Sequence, residues 1–163
     1  MPIYYLDTSA LLKRYRTEQG SIIVSELLGA KLPDDVFVTS YFTAHEVEAV
    51  AARALRGRVL SKGAYAILLS RFAQDLGDSI LMQPISNPVI ADSIDLTRRY
   101  ALRAADSIHL ATASRVKQAA SLQNVFVASD RELLDCAERE GFYLLDPQHP
   151  EALDRLGRLR PGP

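Results

Sequence analysis

The chain has one cysteine, Cys136, in 163 residues, so neither an intramolecular disulfide nor a multi-cysteine zinc site can form. It has no surplus of charge: 19 Lys and Arg against 20 Asp and Glu leave a formal net charge of −1. That balance removes any global electrostatic argument for a nucleic-acid partner, because many nucleic-acid binders carry a basic excess. Also missing is any apolar run near the roughly 20 residues that span a bilayer, and the opening MPIYYLDTSALLKRY lacks a signal-peptide layout. No internal repeat, low-complexity tract or Gly/Ser linker interrupts the chain. The expectation is a cytoplasmic protein that makes no membrane contact. With 48% hydrophobic and 24% charged residues, its length suits one domain with a core of its own.

What the sequence does have is alternation. Residues 3–6 (IYYL), 36–39 (VFVT), 80–85 (ILMQPI), 125–128 (VFVA) and 142–145 (FYLL) are short, near-continuously apolar runs, as strands buried on both faces should be. Pro84 weakens the third, since proline cannot donate to a ladder. Helical patterns fill the gaps. Tyr65, Leu68, Leu69, Phe72 and Leu76 form one apolar stripe with Gly77 just past its end. Asn87-Pro88 predicts a helix start, Asp106 to about Ala119 another helix, and Gly57 and Gly141 two helix ends. Strands alternating with helices predict an α/β fold: a three-layer α/β/α sandwich around a mostly parallel sheet of about five strands. Residues 147–163 are bounded by prolines and are expected to form a weakly packed or fraying tail.

Four acids from distant parts of the chain fall where an open parallel sheet gathers ligands, beyond the carboxyl ends of its strands. Asp7 follows IYYL, Asp130 follows VFVAS, Asp106 opens a helix after LRAA, and Glu46 lies in the helix after VFVTS. Such a cluster suits metal-assisted phosphodiester hydrolysis. Magnesium and manganese take carboxylate oxygens, and a cation offsets the repulsion of gathered like charges. Each acid also has a purely structural reading. Asp7 can end a strand and cap a helix, Thr43–Glu46 and Ser129–Glu132 fit capping boxes, and Asp106 can satisfy a helix start. The cations sit in short clusters (Lys13, Arg14, Arg16; Arg53, Arg56, Arg58, Lys62; Arg98, Arg99, Arg103) that read first as solvated helix faces.

Other phosphate chemistries fit poorly. A haloacid-dehalogenase-like enzyme needs an acid where Ser9 stands, a response-regulator receiver needs an acid pair and a lysine not in place here, and no GxxxxGK[ST] loop occurs.

At these residues the chain resembles the PIN domains, most closely the VapC-type toxins of bacterial and archaeal toxin–antitoxin pairs. The segments that carry the likeness are YLDTSALLKRY with Asp7, SYFTAHEVEAV with Glu46, LRAADSIHLATA with Asp106 and His109, and FVASDREL with Asp130. It spans about residues 3–146, so that 1–146 reads as the PIN domain and 147–163 as the tail. The resemblance implies a magnesium- or manganese-dependent endoribonuclease acting on RNA, a homodimer, and inhibition by a VapB-type antitoxin whose C-terminal segment lies near the acidic site. It makes Asp7 and Asp106 core metal ligands, Asp130 a direct or water-mediated one, and Glu46 a ligand or the residue that positions the attacking water. Thr8 and Ser129 are expected to support them by hydrogen bonds. His109, one turn after Asp106, is expected to be a satisfied structural residue before a general base. Cys136 reads as core filling, His45 as pointing away from Glu46, and His149 as exposed. Tyr4 and Tyr5 are expected on opposite faces of the first strand, and the stripe from Tyr65 to Leu76 as core, with partner docking on that helical hairpin as the other reading.

Overall fold

A computed structural model describes residues 2–30, 32–120 and 123–160. Five parallel strands form the sheet: β1 (Pro2–Leu6), β2 (Val36–Ser40), β3 (Ile80–Gln83), β4 (Gln123–Val127) and β5 (Tyr143–Leu145), in the order β3-β2-β1-β4-β5. Strand β3 stops at Gln83, one residue before Pro84, which has no N–H to continue the ladder. Register is set by the central strand, with Tyr4 opposite Phe37 on one side and Val125 on the other.

The pleat of β1 sends Tyr4 and Leu6 to one face and Ile3 and Tyr5 to the other. On the first face these residues pack with Phe37, Val125 and Val127 against helices α2 (Ser21–Gly29), α3 (Tyr41–Arg56), α4 (Lys62–Asp78) and α8 (Ala152–Leu159). On the second, Tyr5, Val38 and Phe126 pack against α5 (Asn87–Tyr100), α6 (Ala104–Ala119) and α7 (Arg131–Arg139), with Cys136 inside that core. A four-residue helix, α1 (Thr8–Leu11), runs on into a short 3-10 turn after β1. The result is the expected three-layer sandwich. Of the α4 stripe, Leu68 and Phe72 are buried, while Tyr65, Leu69 and Leu76 are half-buried against the same core.

Residues 148–160 depart from the expected tail. Ala152, Leu156 and Leu159, at i, i+4 and i+7, are buried in the first core. Past the helix, the Arg160 guanidinium donates to Leu27 O at 2.7 Å and pairs with the buried carboxylate of Asp35. Gly20 (φ +89°) seats the start of this segment: a Cβ there would stand 2.8 Å from Pro147 O. His149 is half-buried rather than exposed and accepts from the Glu151 N–H.

From β1 the chain steps outward to β2 and β3, then crosses back through α5 and α6 to β4 on the other flank of β1. The strand order therefore reverses between β1 and β4. Their carboxyl ends open on the crevice where α/β proteins of this type bind ligands. Among the described residues no helix is long and apolar enough to cross a membrane.

Candidate active site

Asp7 is the first residue past β1. Its N–H still donates to Val127 O of β4 at 2.9 Å, so both flanks of the crevice hold it. Its carboxylate caps α1: Oδ2 accepts from the Ser9 N–H at 2.9 Å and from Ser9 Oγ at 2.5 Å. The same hydroxyl accepts from the Ser129 N–H at 2.9 Å, tying the ends of β1 and β4 together. Ser129, expected to support the site with its side chain, does so through its backbone, and its own hydroxyl is buried with no partner among the described residues.

Glu46 rides in the second turn of α3. That helix begins at Tyr41, where Ser40 Oγ accepts the Phe42 N–H, so the predicted Thr43–Glu46 capping box does not form. Thr43 instead shares a 2.7 Å hydrogen bond with Thr39, whose hydroxyl reaches Leu6 O at the end of β1. Glu46 is left to bond elsewhere: Oε2 accepts from Thr8 Oγ1 at 2.5 Å and lies 2.7 Å from His109 Nε2. Burial alone would raise its pKa, but the bonds from His109 and Thr8 outweigh burial and hold the carboxyl below its ordinary value.

Asp106 enters from α6, which starts two residues earlier than predicted, at Ala104, and so puts the acid in the first turn rather than at the cap. Asp130 is the N-cap of α7, its Oδ1 accepting from the Leu133 N–H at 3.1 Å, so the predicted Ser129–Glu132 box does not form. Burial, then the charges of Asp7 and Asp130, push the Asp106 carboxyl up to about 6. Asp106 is therefore within electrostatic reach of both other aspartates.

All four acids line a single cleft of about 390 Å³, with Thr8, Ser9, Leu12, His45, Ala49, Val50 and Arg53. His45 was expected to point away; it lies on this wall because α3 runs along the cleft and presents residues 45, 46, 49, 50 and 53 to it. Arg53, first read as a solvated cation, is on the wall too. Lys13, from another such cluster, is buried, 3% exposed and 4.0 Å from Glu18. A second cavity, about 430 Å³ between β5 and α8, holds Arg155, Arg158 and Tyr143 but only one acid, Glu138. Among the described residues no three His, Cys, Asp or Glu side chains already stand in position to enclose an ion.

His109 is buried, 1% exposed, and is satisfied by Tyr5, Glu46 and Thr8 rather than set among apolar neighbours alone. Burial depresses its pKa, but the Glu46 hydrogen bond and the Asp7 charge prevail and raise it. The spacing from Asp106 put it on the right face; its partners Tyr5 and Thr8 were beyond local reading.

Comparison with known proteins identifies the family and the fold. The PIN domain family profile matches residues 4–138. Ribonuclease VapC45 of Mycobacterium tuberculosis is 33% identical over 116 residues, covering 71% of this chain and 78% of that protein. Among solved structures, FitAcB from Neisseria gonorrhoeae superposes with a TM-score of 0.61 at 23% identity, covering 90% of this chain and 99% of that one. A toxin–antitoxin complex from Klebsiella pneumoniae gives 0.57 at 19% identity, over 88% and 97%. By the family profile over residues 4–138 and 33% identity to two curated ribonucleases, the chain belongs to the PIN-domain family and is a relative of the VapC ribonucleases.

Proposed function

We propose that the chain is a divalent-metal-dependent endoribonuclease of the VapC type, hydrolysing RNA phosphodiester bonds at the cleft of Asp7, Glu46, Asp106 and Asp130. The observation that carries this reading is the meeting of three aspartates from three elements at one cleft, where burial first, and then the charges of Asp7 and Asp130, raise Asp106 to about 6. A carboxylate cluster that destabilises itself in this way fits a hard cation, and its donors are oxygens of the kind magnesium and manganese select. Asp7, Asp106 and Asp130 would hold the ion. When bound, it supplies the Lewis acidity and the acidified water that phosphodiester hydrolysis requires.

The remaining roles belong to the protein. Glu46, kept ionised by Thr8 and His109, orients the attacking water and accepts its proton. Arg53, on the same wall, offers a forked donor to a substrate phosphate. Ser9 keeps Asp7 aligned with the β4 side of the cleft.

The reading includes a cytoplasmic location, a homodimer and a VapB-type antitoxin whose C-terminal segment covers the acidic cleft. The likeness to a toxin–antitoxin complex supports the antitoxin. The test is cleavage of RNA by the purified chain in Mg²⁺ or Mn²⁺, with EDTA, beside Asp106→Asn. Metal-dependent cleavage that disappears in the variant is the expected result. Equal cleavage by the variant would show the site to be wrong. No cleavage of any RNA by the folded, antitoxin-free chain would move the reading to a non-cleaving RNA- or partner-binding domain.

A further inference from the structure

Glu46 is gripped at one oxygen. Thr8 Oγ1 donates to Oε2 at 2.5 Å, and His109 Nε2 stands 2.7 Å from that same atom. Across the imidazole, Nδ1 lies 3.0 Å from Tyr5 Oη. Both rings are buried, at 1% and 2% exposure. The neutral imidazole has two tautomers. With hydrogen on Nδ1, a nitrogen lone pair would face a carboxylate oxygen at 2.7 Å, a repulsive contact in a buried setting. With hydrogen on Nε2, the ring donates to Glu46 and Nδ1 accepts a hydrogen bond from the Tyr5 hydroxyl, and all three groups are satisfied. The Asp7 carboxylate, 3.7 Å from Nε2, is too far to compete for that hydrogen.

We infer that His109 is a positioning residue: pinned by Tyr5 with its hydrogen on Nε2, it locks Oε2 of Glu46 against the protein and leaves Oε1 as the oxygen that serves the cleft. The inference rests on the proposed nuclease reading and assigns the arrangement that keeps its water-orienting residue in place. Buried partners of this kind fix first-sphere groups elsewhere, and their removal costs about 10–100-fold in activity or metal affinity.

The experiment compares wild type with His109→Phe, His109→Gln and Tyr5→Phe, all as full chains. His109→Phe is expected to lower kcat about 10–100-fold with KM for RNA little changed. His109→Gln, whose amide N–H reaches the position of Nε2, restores most of that loss, and Tyr5→Phe falls between. Nitrogen NMR of the His109 ring reads the tautomer without any catalysis: Nε2–H in wild type, an altered balance in Tyr5→Phe. A wild-type ring protonated on Nδ1 alone would overturn the inference. So would a folded His109→Gln as impaired as His109→Phe, because the ring's packing and not its hydrogen bond would then matter. If His109→Phe fails to fold, the glutamine variant and the spectrum still decide. If wild type cleaves nothing while the Nε2–H tautomer depends on Tyr5, the nuclease reading falls and the positioning stands.

Discussion

Burial and the charges of Asp7 and Asp130 act on the Asp106 carboxyl, and their consequence can be measured as stability. Its pKa rises from 3.8 to about 6 on folding, so its favourable contribution is complete below 3.8 and is lost as pH climbs through about 6. Above that, the ionised group strains the metal-free fold. Discounted for the solvent that reaches a half-buried side chain, the strain is about 1 kcal/mol. Asp106→Asn should therefore stabilise the metal-free protein by about 1 kcal/mol at pH 7.5, by about half of that at pH 5 and by little at pH 3.5, as read from urea denaturation. Ser9 presents the opposite case. Its hydroxyl serves both Asp7 and the Ser129 N–H, so Ser9→Ala should cost about 1–3 kcal/mol by the same measurement. The acids could be read from the sequence because each follows an apolar run or opens a helix. What they bond to could not: Tyr5 and His109 are 104 residues apart, and no local pattern reports a hydrogen bond across that span.

Among the elements, the strands were the most legible, because a strand buried on both faces must be apolar throughout, and VFVT and VFVA are. Helix starts were less so. Several oxygen-bearing side chains stand close together before α3 and α7, and the choice of Ser40 over Thr43, or of Asp130 over Ser129, is made by tertiary contacts. The C-terminal helix was missed because the prolines and charges of residues 147–163 together outnumber its apolar residues, of which Ala152, Leu156 and Leu159 are buried. That helix gives a sharp prediction. Arg160→Leu would leave the Asp35 carboxylate, 3% exposed, without its cation, and should destabilise the protein by about 3–5 kcal/mol. Combining it with Asp35→Asn should recover part of that loss, as two changes to one buried pair do not add. Both are read from urea midpoints.

For the whole molecule, the site is linked to stability by mass action. An ion that binds only the folded cleft at a hundred times its Kd should add about 2.7 kcal/mol. Manganese or magnesium should therefore raise the thermal midpoint of wild type, EDTA should reverse the rise, and Asp106→Asn should show little of it. A midpoint indifferent to both ions would count against the metal site.

The reversal of strand order between β1 and β4 also sets when the cleft can form. Ser9 and Ser129, joined directly across the cleft, are separated by 120 residues of chain. At about 5–20 residues per second of synthesis, Asp7 emerges many seconds before Asp130 exists. A nascent or truncated chain thus carries the first acid without its neighbour. The complete cleft is assembled only with the pairing of the fourth strand, so on the proposed reading no partly made chain cleaves RNA.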